Sequence, residues 1–309
     1  MTSLDFGPLV LGGNVFGWTA DERESARVLD AFVDAGGVAI DTADAYSHWV
    51  EGNAGGESEE IIGSWLRTRG RRDDVLIATK IGMLPTRAGL SAANIRTGVE
   101  ESLRRLGTDY IDLFYAHLDD ETVAQEEYLG VFDELVREGK VRTLGASNFT
   151  PERLRSAVEI ARANGLTPFT VSQDPYNLVQ RGIEGALLPA ISELGLVELP
   201  YSSLASGFLT GKYRPGTTVE SVRAEGAAAR LADPRAVTLL ELLDDIAAQQ
   251  GTGVAAIALA WLRAQPTVAA PIASARTVEQ LPALIESFRV ELSPGQLDAL
   301  DRTSAPLSA

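Results

Sequence analysis

The chain contains no cysteine, and His48 and His117 are its only two histidines in 309 residues. The first absence excludes disulfides, thiolate nucleophiles and cysteine-ligated zinc. The second excludes a site built from three histidines. Carboxylate-rich metal sites stay open, but no signature of the H-E-x-x-H kind occurs. Lysine is scarce as well: Lys80, Lys140 and Lys212 are the only three, in a chain that otherwise uses arginine. Positive charge as a whole is in the minority, with 27 Lys and Arg against 43 Asp and Glu and a net charge of −16. An acidic surface repels phosphate backbones and anionic lipid, so neither nucleic acid nor a membrane is an expected partner. Long apolar runs are missing too. Val254 to Leu262 falls well short of the ~20 residues needed to span a bilayer. Met1 to Gly7 has no basic segment leading into an apolar one. The expected location is the cytoplasm.

What is present is a repeating alternation. Val38, Ala39 and Ile40 form a short apolar run after the breakers Gly36 and Gly37, and similar runs recur at Pro8 to Trp18, Val75 to Thr79, Tyr110 to Ala116, Val141 to Ala146, Phe169 to Val171, Leu196 to Leu199 and Val268 to Ile272. Between them the spacing predicts helices: Asp21 to Ala35, Ser58 (as N-cap) to Arg69, Ser91 to Leu106, Glu121 to Glu138, one opened by Thr150-Pro151, and Ile183 to Leu194. Ser202 to Asp233 reads as irregular. Helices over Pro234 to Gln250, Val254 to Arg263, Thr277 to Ser287 and Ser293 to Leu300 complete the chain.

The strands are continuous apolar runs, as expected when both faces of a parallel sheet are buried. Eight βα units without a composition shift argue for a single-domain (β/α)₈ TIM barrel over the whole chain. A doubly wound sheet is the runner-up, but Gly12-Gly13-Asn14 does not supply the G-x-G-x-x-G that would favour it. In such barrels the chemistry sits at the C-terminal strand ends. Those ends carry Asp41, Lys80, His117, Ser147-Asn148, Gln173 and Tyr201, more polar side chains than turns require, and Tyr46 follows Asp41 in the first of these loops.

At these residues the sequence resembles the aldo-keto reductase superfamily. The matching motifs are D-T-A-D-A-Y (41–46), G-E-S-E (56–59), I-A-T-K (77–80), L-G-T-D-Y-I-D-L-F-Y-A-H (106–117), G-K-V-R-T-L-G-A-S-N-F (139–149), Y-S-S-L-A-S-G-F-L-T-G-K-Y (201–213) and S-A-R-T-V-E-Q-L (274–281). They span nearly the whole chain in family order. The resemblance implies a nicotinamide-dependent oxidoreductase with a catalytic tetrad of Asp41, Tyr46, Lys80 and His117. Tyr46 would be the general acid that protonates a carbonyl oxygen. A free phenol has a pKa near ~10, so Lys80 would stabilise the phenolate and lower it. Asp41 would keep Lys80 charged, and His117 would orient the carbonyl. Taken singly, Asp41, Tyr46 and His117 each have a plainer reading, as a cap, a packing aromatic and a hydrogen-bonded core histidine, whereas a lysine ending an apolar barrel strand is unusual.

The same resemblance assigns cofactor contacts. Gly13, Asn14 and Asp41 would be among them, with Asn14 beside the nicotinamide ring. Ser147, Asn148 and Gln173 would bind its carboxamide, and Tyr201 would stack on it. Ser202, Leu204, Ser206, Gly207, Leu209 and Lys212 would cover the pyrophosphate, where small residues let backbone N–H groups approach. Ser274, Arg276 and Gln280 would hold a 2′-phosphate, favouring NADPH because guanidinium pairs well with a dianion. Two departures stand out: Ala283 and Leu284 occupy positions that are often Glu-Asn in the family, and Ser274 stands where glycine is common. Trp49, Met83, Leu84 and Asp119 are candidate walls of a substrate pocket for small aldehydes, ketones or keto-sugars, with Trp49 as readily a pin for its own loop. A cofactor-binding regulatory or redox-sensing subunit is the alternative function, and an unrelated barrel enzyme a third. The chain is expected to act as a monomer or homo-oligomer.

Overall fold

The structure, a computed structural model, describes residues 4–217, 219 and 224–307. Its strands and helices alternate from the start: β1 (Val10–Gly12), α1 (Glu22–Asp34), β2 (Ala39–Asp41), α2 (Glu57–Arg69), β3 (Leu76–Ile81), α3 (Ala92–Leu106), β4 (Ile111–Ala116), α4 (Gln125–Arg137), β5 (Val141–Ser147), α5 (Pro151–Ala163), β6 (Val171–Gln173), α6 (Leu187–Leu194) and β7 (Val197–Glu198). Three helices then intervene, α7 (Ala224–Leu231), α8 (Pro234–Gln250) and α9 (Val254–Arg263), before β8 (Ile272–Ala273), α10 (Leu281–Ile285) and α11 (Pro294–Ser304).

All the strand pairings are parallel, in the order β7-β6-β5-β4-β3-β2-β1-β8. The two ends meet. Glu198 N–H donates to the Thr267 carbonyl at 2.8 Å, Ala269 N–H to the Glu198 carbonyl at 2.9 Å, and Ile272 N–H to the Pro200 carbonyl at 2.8 Å. The sheet is therefore a closed (β/α)₈ barrel, which leaves no exposed edge.

Period-two alternation explains why the strands read as unbroken apolar runs. Val10, Ala39, Ala78, Leu113, Tyr115, Val171 and Leu199 fill the interior with Phe6, while Leu11, Ile40, Ile77, Phe114 and Leu144 face outward into the helix layer. Phe114, Phe132 and Phe169 stack edge to face there at 5.7 and 5.9 Å, worth about 0.5–1.5 kcal/mol per pair beyond burial. Among the described residues no helix is long and apolar enough to cross a membrane, and no group of three His, Asp or Glu could hold a metal ion.

Several boundaries differ from the sequence expectation. Ser58 is not the cap of α2. That helix begins at Glu57 behind Gly56, whose φ of 91° is left-handed. The Ser58 hydroxyl instead donates to the Gly13 carbonyl at 2.8 Å and accepts from Thr42 at 2.8 Å, tying α2 to the loops after β1 and β2. The helix expected from Glu121 starts at Gln125, and the one expected from Ile183 reduces to α6, with a short 3₁₀ turn at Gly182–Glu184 ahead of it. The segment 202–233 is not wholly irregular: it holds a 3₁₀ stretch (Ala205–Thr210) and α7, and its residues 218 and 220–223 lie outside the described residues. The helix expected over Thr277 to Ser287 is broken into 3₁₀, α and 3₁₀ pieces.

Candidate active site

β2 and β3 place Asp41 and Lys80 on adjacent strands, and the buried Lys80 ammonium spends its three protons locally. It donates to Asp41 Oδ2 at 2.6 Å, to the Thr42 carbonyl at 2.7 Å and to the Tyr46 hydroxyl at 2.9 Å. The Tyr46 hydroxyl in turn donates to Asp41 Oδ2 at 3.1 Å. The other Asp41 oxygen accepts from Gln173 Nε2 at 3.0 Å. Tyr46 is held by its own loop: its N–H donates to the Ala43 carbonyl at 3.2 Å, and the next side chain, Ser47, donates to the Phe16 carbonyl at 2.7 Å. His117 follows β4, and its ring lies 6.1 Å from the Tyr46 ring. The four residues expected to act together thus share one floor.

Their protonation follows from burial. Desolvation lowers the Lys80 pKa from its ordinary value and the Asp41 charge works against that fall. His117 is pushed well below the ordinary imidazole value, first by burial and then by Lys80, so its ring is neutral. Tyr46 departs from expectation. Burial and then Asp41 raise its phenol well above the ordinary value. The Lys80 hydrogen bond favours the phenolate, but it is outweighed, because the phenol also donates to a carboxylate inside a water-poor site.

Above this floor opens a cavity of about 680 Å³. One side carries a polar network. Asn148 donates to the His117 carbonyl at 3.0 Å and to Ser147 Oγ at 2.9 Å, and its own carbonyl accepts from the Tyr201 hydroxyl at 2.8 Å. Ser147 Oγ donates to the Gln173 carbonyl at 2.7 Å. The backbone here is strained: Asn148, Ser202, Ala205 and Ser206 all have positive φ without being glycine, a conformation that costs energy and concentrates at functional sites. Farther along, Lys212 and Arg276 line the same cavity. Neither forms an ion pair with any described residue; the Lys212 ammonium lies 4.9 Å from the Tyr213 ring centre, and Arg276 is anchored through its N–H to Gln280 Oε1 at 3.0 Å. Asn14 accepts from Ser274 at 2.8 Å nearby.

The cavity brings together Asn14, Asp41, Tyr46, Trp49, Met83, His117, Ser147, Asn148, Gln173, Tyr201, Ser202, Leu204, Ser206, Gly207, Lys212, Ser274, Arg276 and Gln280. Five expected residues sit elsewhere, and Lys80 is the first of them, fully buried beneath Asp41 and Tyr46 rather than on the cavity surface. Gly13 lies behind the wall, where an added Cβ would stand 2.8 Å from Ser58 Oγ. Leu209 is buried in the core beneath the loop. Leu84 is buried against Gly55. Asp119 is turned away into a two-pronged ion pair with Arg153 at 2.5 and 3.0 Å. Sequence reasoning missed Trp18, Thr19 and Leu118 on the cavity wall. Trp18 meets Trp49 edge to face at 5.6 Å, and its only signal in the sequence was an aromatic in the glycine-punctuated stretch after β1. The open mouth is apolar: Trp49, Met83 and Leu118 are each more than two-fifths exposed.

The sequence model of the Aldo/keto reductase family matches residues 8–305. Among similar proteins, an uncharacterised oxidoreductase, YrpG, of Bacillus subtilis is 36% identical, over 94% of this chain and 90% of its own. The aldo-keto reductase YhdN of the same species is 35% identical over 92% and 84%. An NADP(+) aryl-alcohol dehydrogenase of Phanerodontia chrysosporium is 31% identical over 97% and 83%. With the match running through every strand of the barrel, the chain belongs to the aldo/keto reductase family of oxidoreductases.

Proposed function

We propose that the protein is an NADPH-dependent reductase of aldehydes and ketones, with aromatic carbonyl compounds as its preferred class. The observation that carries this reading is the Lys80 ammonium bonded at once to Asp41 and to the Tyr46 hydroxyl, at 2.6 and 2.9 Å, on the floor of an open cavity. A phenol so placed keeps its proton at neutral pH and has a cation beside it for the moment the proton leaves.

The residues present fit a phosphorylated dinucleotide. Lys212 and Arg276 are two cations without ion-pair partners among the described residues, on one cavity wall of a protein with net charge −16. They would hold its phosphates, with Arg276 suited to the extra phosphate of NADPH. Ser202 to Gly207 would offer backbone N–H groups, Tyr201 its ring face, and Ser147, Asn148 and Gln173 their polar edges. When bound, the cofactor supplies a hydride to the carbonyl carbon. Tyr46 gives its hydroxyl proton to the carbonyl oxygen, so that one hydride and one proton make the alcohol. Lys80 steadies the phenolate left behind, and Asp41 keeps Lys80 charged. His117, neutral, donates a ring N–H to the same oxygen. General-acid help of this kind contributes about 10²–10⁴ in rate. Trp18, Trp49, Met83 and Leu118 suit a flat apolar ring, in line with the aryl-alcohol relative.

The test is NADPH binding by fluorescence, followed by NADPH consumption with benzaldehyde-type, aliphatic and sugar carbonyls. Turnover that is fastest on aromatic aldehydes supports the reading. Tight NADPH binding with no turnover on any carbonyl would instead favour a cofactor-sensing subunit, and no NADPH binding would defeat the proposal.

A further inference from the structure

The end of β1 is tied to its neighbours on both sides. Toward β2, Gly12 pairs with Asp41, and Gly13 N–H donates to the Asp41 carbonyl at 2.7 Å. Asn14 comes next in the chain, so it is held beside the strand end that carries Asp41 and, through it, Lys80 and Tyr46. Toward β8, Leu11 pairs with Ala273, and the residue after Ala273 is Ser274. Its hydroxyl donates to Asn14 Oδ1 at 2.8 Å, across 260 positions of the chain. The contact needs glycine at position 12, where an added Cβ would stand 2.6 Å from Ser274 Oγ. Asn14 and Ser274 are both half-buried, and both line the cavity.

Counting donors decides what each group can offer a ligand. A serine hydroxyl has one proton. Ser274 spends it on Asn14, so toward a phosphate, which accepts hydrogen bonds, it presents only lone pairs. That takes Ser274 out of the set expected at a 2′-phosphate and leaves the anion to Arg276, two residues on. An asparagine amide has an oxygen that accepts and an NH₂ group that donates. With the Asn14 oxygen held by Ser274, the NH₂ group is turned the other way, and it has no partner among the described residues. A free donor therefore stands beside Asp41, at the reacting end of the cavity. The exposed apolar side chains Trp49, Met83 and Leu118 follow β2, β3 and β4, whereas Asn14 and Ser274 follow β1 and β8, on the side of Arg276. An amide donor on that side matches an oxygen-rich sugar better than a flat apolar ring.

We propose that Ser274 is a positioning residue for the cofactor: by holding the Asn14 oxygen, it presents the Asn14 NH₂ group to a hydroxyl of the ribose that carries the nicotinamide. The proposal rests on the NADPH reading given above and assigns one contact within it.

The test is a binding titration of wild type, Ser274→Ala, Asn14→Ala and the double variant with three probes: NADPH, NADH and 2′,5′-ADP. The last has the phosphorylated adenosine half and no nicotinamide ribose. Ser274→Ala weakens NADPH and NADH by the same factor, about 3- to 10-fold for one hydrogen bond, and leaves 2′,5′-ADP unchanged. Asn14→Ala does the same, and the double variant loses no more than either single one, because the two residues act as a unit. A merely structural role would not spare one probe and weaken two alike. A loss confined to NADPH and 2′,5′-ADP would return Ser274 to the 2′-phosphate and overturn the proposal. A loss in Ser274→Ala that Asn14→Ala does not share would overturn it too, by showing a direct contact. So would unchanged binding of all three probes with only the aldehyde KM raised. A wild type that binds none of the probes would bring down the NADPH reading itself, and this proposal with it.

Discussion

Asp44, on the loop between Asp41 and Tyr46, is fully buried, and Asp44→Asn has a consequence for stability whose sign and size follow from the structure. Burial first, and Glu59 second, raise the Asp44 pKa from 3.8 to about 7, with Arg87 and Arg105 pulling it down. In the unfolded chain the group ionises near its ordinary value. Between those two pH values the folded state binds the extra proton, so stability falls as pH rises. The contribution is fully present below about pH 3.8 and is lost as pH passes through about 7. At about 1.4 kcal/mol per unit, that gap sets a ceiling of about 4 kcal/mol on the penalty at alkaline pH. Asparagine carries no such titration. In urea denaturation the variant's advantage over wild type should therefore grow from pH 5 to pH 8, by about 2 kcal/mol or more. An advantage that does not change with pH would refute the reasoning, because it would mean that Asp44 titrates alike in both states.

Three other outcomes follow. Arg276→Leu should weaken NADPH binding by about tenfold or more, the worth of a charge-assisted contact, and leave NADH binding little changed in fluorescence titration; equal losses for both cofactors would remove Arg276 from the 2′-phosphate. Trp49→Ala should raise KM several-fold for aromatic aldehydes, through loss of a ring contact of about 1 kcal/mol, with aliphatic aldehydes scarcely affected. Unchanged kinetics on both classes would leave Trp49 as a pin for its loop. Glu59→Gln leaves Arg105 without its buried partner at 2.6 Å and should cost about 3–5 kcal/mol in urea denaturation; a loss under 1 kcal/mol would show that Glu101 can take over the guanidinium.

The barrel was legible because each strand is buried on two faces and each helix is punctuated by glycine or a cap, signals that live in a few adjacent residues. Long-range partners were not legible. Ser58 looks like a cap in the sequence, but its hydroxyl is claimed by Gly13 and Thr42. Asp119 follows His117 closely and could have faced the pocket, but Arg153 takes it 34 positions along the chain. Trp18 and Leu118 join the cavity wall because the loops after β1 and β4, distant in sequence, both border the same cavity. The direction of the Tyr46 shift escaped sequence reasoning for a similar reason. Lysine beside tyrosine predicts a fall, whereas the outcome depends on how completely the fold removes water and on Asp41 accepting the same phenol.

The most direct test of the central claim is Tyr46→Phe, which deletes one oxygen from the floor of the cavity and leaves Lys80 bonded to Asp41 and Thr42. NADPH affinity should be retained while kcat on an aromatic aldehyde falls by about 10² or more. A Tyr46→Phe protein that binds NADPH and still reduces the aldehyde near the wild-type rate would contradict the account, since the proton would then have another source.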